Sequence, residues 1–164
     1  MREERIIYAH HEAGHVVAAV MRGGTELHSV TLGEIHGWGL TRSRQWWDHG
    51  FIVWAGPWAE ARYLWGERPL DVEDEDGAMF ADHVGGVLMG QSGPGGDLSE
   101  YMAAMEARNW MMMASLGPDS VREMEWGSEQ HWLLEMEEQW KVVRTIAARL
   151  HRGDRITDAD VWAP

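Results

Sequence analysis

The sequence contains no cysteine. Disulfides, thiolate zinc sites, iron–sulfur ligation and cysteine nucleophiles are thereby excluded, so any metal must be held by His, Asp or Glu. Lysine is almost as scarce, with Lys141 standing alone outside any glycine-rich phosphate-cradling pattern, which rules out a P-loop nucleotidase. Positive charge is short altogether: 14 Lys and Arg face 27 Asp and Glu, a formal net charge of −13. That balance repels phosphate backbones and argues against nucleic acid as a partner. Long apolar runs are also missing. The longest, Val16 to Met21, falls far short of the roughly 20 residues that cross a bilayer. With no secretory apolar region at the N-terminus, a soluble, cytoplasmic protein without membrane contact is expected.

What is present suits one globular domain, with 164 residues of which 45% are hydrophobic. Apolar periodicity predicts a helix from Arg2 to Met21, ended by Gly23-Gly24. Alternation around Val30 and Leu40 predicts a short antiparallel ribbon. A second helix follows from Asp48 to Trp65, kinked or restarted at Gly56-Pro57. Residues 67–96 combine an acidic cluster with a following run of glycines from Gly85 to Gly96 and read as a long loop or flap. Asp97 and Glu100 open a helix to about Ala114, Ser128 to Leu150 forms another, and Thr157 with Asp160 suggests a last short one. The expected class is α+β, mainly helical, as one domain over residues 1–164.

Chemistry concentrates in His11-Glu12-Ala13-Gly14-His15, an HExxH string placed on the first helix. Side chains four apart share a helical face, so His11 and His15 can aim two imidazole nitrogens at one zinc ion. Glu12 then stands beside the metal, where it can take a proton from a water and pass it to a leaving amine. A catalytic zinc normally has a third protein ligand. The extended pattern HExxHxxGxxH fails, because Ala18 and Met21 occupy its glycine and final histidine positions. Glu60 and Asp97 are both candidates, and spacing leaves the choice open.

The motif string, followed by His28-Ser29-Val30-Thr31-Leu32, Gly39-Leu40-Thr41, Ala55-Gly56 with Ala59-Glu60, Gly66-Glu67, and Gly96-Asp97-Leu98 with Ala107-Arg108-Asn109, resembles the peptidase domain of FtsH-type zinc proteases. The resemblance runs from about Tyr8 to Gly117. It implies a zincin-like helix with zinc held by His11, His15 and Asp97, and Glu12 as catalytic base. Glu60 becomes a partner that orients a ligand, or the fallback ligand. The family also implies ring assembly and an attached membrane-anchored ATPase. Neither the ATPase nor its membrane helices is found in this chain, and Pro57-Trp58 and Ala61 depart from the family pattern.

The function expected is a zinc metalloendopeptidase acting on flexible or unfolded polypeptide, without its own ATP drive. Substrate would add as a strand along the ribbon at Val30 and Thr31, with Trp46 and Trp47 beside it. A separate partner delivering substrate and a homo-oligomer are further expectations. The alternative is a zinc-binding interaction or adaptor module on the same fold. The acidic cluster fails the EF-hand pattern, since Val72 holds its first ligand position, and reads as a solvated or regulatory loop.

Overall fold

Helix α1 spans Arg2–Met21 with Glu3 and Glu4 in its first turn, where negative charge favours the exposed backbone N–H groups. Every residue from Ala9 to Val20 is buried. The helix is therefore enclosed on all sides and forms the centre of the core, not one amphipathic wall. Gly23 takes φ +61°, a left-handed conformation that ends the helix at no steric cost. The computed structural model describes residues 2–23, 31–32, 46–93, 95–116 and 129–162.

Helix α2, His49–Trp65, follows a single 3-10 turn at Trp46–Asp48 and continues through Pro57. It lies against α1. The approach is close because Gly14 has no side chain: a Cβ there would come within 3.0 Å of the Ala55 carbonyl and the Ala59 methyl. That crossing brings the motif face of α1 onto α2.

The acidic and glycine-rich segment is not the continuous loop expected. Phe80–Gly90 forms a helix, α3, in which Phe80, Val84 and Leu88 are buried. Their spacing of four makes one apolar stripe, and Phe80 packs edge-on against Trp58 and Trp65 at 6.0 and 5.7 Å. Burial of that stripe offsets the helix cost of Gly85 and Gly86. Before it, Asp74 accepts bonds from the Asp76 and Ala78 amides and from His83 Nε2, which lies 2.7 Å away. These bonds hold the Asp74 carboxyl below its ordinary pKa.

Helix α4 spans Asp97–Leu116. Residues 129–138 form α5 and Trp140–Arg152 form α6, parted by a turn at Gln139 where one helix was expected. Helix α6 packs on α1 and buries Val143, Ile146, Ala147 and Leu150. Asp158–Trp162 is α7, its start tied by Asp160, which accepts bonds from the Thr157 amide and hydroxyl at 2.8 Å each.

Two ion pairs fasten α5 to the α1–α2 pair. Arg22 engages Glu135 through both terminal guanidinium nitrogens and covers Phe51, 4.1 Å from its ring centre. Arg62, buried in α2, donates to Glu137 at 2.8 and 3.0 Å and also to the Gly66 carbonyl.

The α+β expectation is overturned. The fold is mainly helical, and among the described residues there is no β-strand, only an isolated antiparallel bridge between Glu73 and Met79. Of the segment read as an antiparallel ribbon, Thr31 and Leu32 are described and lie in no strand; Val30 and Leu40 fall outside the described residues. Leu32 packs against the core from a turn.

Candidate metal centre

The α1–α2 crossing sets the site. His11, Glu12 and His15 are all buried, with Glu12 only 1% exposed. His15 donates from Nδ1 to the Ile52 carbonyl of α2 at 2.8 Å. His11 donates from Nδ1 to Glu60 Oε2, also at 2.8 Å. A neutral imidazole carries one ring proton, and both are committed to α2. Each Nε2 is consequently a lone-pair donor, and the two face one another at 3.2 Å.

Asp97, the first residue of α4, closes the group. Its Oδ2 lies 2.8 Å from His11 Nε2 and 3.5 Å from His15 Nε2. All three ligand atoms fall within 4.8 Å of one another. Three lone-pair atoms crowded together in a buried space repel unless a cation lies among them. Asp97 Oδ2 is itself buried and makes no well-aligned hydrogen bond. Two imidazoles and one carboxylate, whose buried oxygen is otherwise orphaned, are the donor set a divalent ion takes. His11, His15 and Asp97 could therefore hold a metal ion.

In the metal-free chain a proton serves in place of the cation. Burial opposes charge on His11, but the adjoining carboxylates of Asp97 and Glu60, with the charge of Glu12, outweigh it and raise its pKa to about 9. Burial likewise pushes the Asp97 carboxyl up, and the adjacent imidazoles overcome that and hold it well below the usual carboxylate range.

Glu60 is thus placed on the outer nitrogen of His11 and outside the group that could hold a metal ion. Of the expected substrate-strand residues, Thr31 is half-buried and Val30 lies outside the described residues. Tyr8 was not foreseen. One turn before Glu12, it hydrogen-bonds to that carboxylate, and burial together with the charges of Glu12 and Asp97 raises its phenol far above the ordinary value. The i, i+4 spacing of Tyr8 and Glu12 was the available signal. His10, beside the motif, is occupied elsewhere: its ring stacks on Tyr63 at 4.2 Å and its Nδ1 lies 2.8 Å from the Ile6 carbonyl.

An apolar groove follows α4 away from the site, walled by Trp54, Leu88, Met105, Trp110 and Leu133. Among the described residues, no helix is long and apolar enough to cross a membrane. Comparison with protein-family models, with curated proteins and with solved structures finds no match to this chain.

Proposed function

We propose that this chain is a zinc-dependent metallopeptidase that cleaves flexible or unfolded polypeptide. The observation that carries the reading is the convergence of His11 Nε2, His15 Nε2 and Asp97 Oδ2 beside buried Glu12. Two histidines and a carboxylate, with no cysteine in the chain, are a ligand set that suits zinc and leaves a coordination position open. When bound, zinc would supply Lewis acidity, lowering the pKa of a water and polarising the scissile carbonyl.

The chain's own residues supply the rest. Glu12 accepts the proton of the attacking water at its carboxylate and returns it to the departing amine nitrogen. Tyr8 holds that carboxylate in place by its hydrogen bond. The Ile52 carbonyl and Glu60 keep both histidine Nε2 atoms turned inward. The groove along α4 offers apolar surface to an extended substrate. A cytoplasmic setting, a partner that delivers substrate and self-assembly belong to the same proposal.

The test is Glu12→Gln against wild type, with zinc content and cleavage of a denatured, fluorophore-quenched polypeptide measured on both. The variant should keep about one zinc per chain and lose turnover by a factor on the order of 10²–10⁴. Chelator-sensitive cleavage retained by the variant would refute the role of Glu12. The exposed methionines of the groove face, Met102 and Met113, favour a second reading as an interaction module. Zinc binding and peptide binding without cleavage by the wild type would decide for it.

A further inference from the structure

Helix α2 touches the histidine pair at three successive turns: the Ile52 carbonyl, Gly56 and the Glu60 carboxylate. Positions four apart lie on one helical face, so a single stripe of α2 backs the whole pair. Two of the contacts are hydrogen bonds. The middle one is a bare backbone. A Cβ built on Gly56 would come within 3.0 Å of Nε2, Cε1 and Cδ2 of His15, and these are its three nearest atoms. Glycine in a helix interior is less favourable than alanine. At position 56 that cost secures room for an imidazole.

We propose that Gly56 is a positioning residue for the metal centre: its bare backbone is the floor on which the His15 ring lies, keeping Nε2 in line with His11 and Asp97. The inference rests on the metal-centre reading and goes beyond it, because Gly56 holds no ligand atom and makes no polar contact with the site. Any side chain there must push the ring off its place. With Nδ1 fastened to the Ile52 carbonyl, the ring has little freedom to yield except by giving up that bond.

The experiment is a double-mutant cycle on the full chain with Gly56→Ala, His15→Ala and the pair together, read by thermal melts in chelator and by zinc titration. Alanine at 56 alone should weaken zinc binding by about 10–100-fold, the usual cost of disturbing a ligand's support, and should lower the melting temperature. In the His15→Ala background the clash is gone. There Gly56→Ala should cost nothing, or raise the melting temperature through alanine's better helix propensity.

Equal destabilisation by Gly56→Ala in both backgrounds would overturn the proposal and assign Gly56 to helix packing alone. Should the single variant fail to fold, the double variant decides: a folded protein supports the proposal, an unfolded one refutes it. A wild type that binds no zinc would sink the metal reading, while the metal-free melts still test whether Gly56 acts through His15.

Discussion

Replacing Glu60 by alanine separates a ligand from the group that aims it. The Glu60 carboxylate lies 2.8 Å from Nδ1 of His11, on the side of the ring opposite the nitrogen that faces Asp97. Glu60→Ala therefore removes an acceptor while leaving all three donor atoms in place. Loss of such a partner costs about 10–100-fold in metal affinity, or about 1.4–2.8 kcal/mol. Asp97→Ala removes a donor outright and should cost more. Competition against a chromophoric zinc chelator gives the order directly: wild type tightest, Glu60→Ala next, then Asp97→Ala and His15→Ala. Glu60→Gln, which keeps an acceptor oxygen, should fall between wild type and Glu60→Ala. Zinc lost entirely from Glu60→Ala but held normally by Asp97→Ala would reverse the assignment and make Glu60 the third ligand.

Two further outcomes follow from buried charges. Glu137→Ala strips Arg62, which is 5% exposed, of its carboxylate; an orphaned buried charge costs about 3–5 kcal/mol, or roughly 6–20 °C in melting temperature for a chain of this size. A change under about 2 °C would show that the Gly66 carbonyl and the Trp140 ring, 5.3 Å from the guanidinium, suffice. In chelator, His11 titrates in the folded chain near 9, above its ordinary value of 6.5. A raised folded-state pKa gives stability that is full below about pH 6.5 and lost as pH rises through 9, on the order of 3 kcal/mol in all. Melts of wild type and His11→Ala from pH 6 to 10 should therefore converge as the pH rises, and parallel curves would refute the assignment.

Periodicity in the sequence revealed α1, α2 and α4 because each carries apolar residues at helical spacing over several turns. It did not reveal α3, where Gly85, Gly86 and Gly90 spoke for a loop more loudly than the stripe of Phe80, Val84 and Leu88 spoke for a helix. The break at Gln139 was invisible because apolar spacing continues from Met136 to Val143 across it. The two histidines of the site were legible from their spacing alone. By spacing Asp97 stood level with Glu60, and only the family resemblance favoured it; the packing of α4 that brings Oδ2 against His11 spans a sequence separation that leaves no local trace. Gly56 looked only like half of a kink; its fit against His15 exists in three dimensions and nowhere in the string.

Asp97 opens α4, and among the residues of that helix whose burial is described Ala104 is the one that is buried. The helix is thus moored at its first residue and only lightly along its length. A cation shared by His15 and Asp97 would bridge two positions far apart in the chain and close the long segment between them, lowering the entropy of the unfolded chain much as a covalent cross-link does. A sequence without cysteine would gain by coordination what it lacks in sulfur, and would release that clasp whenever the ion departs.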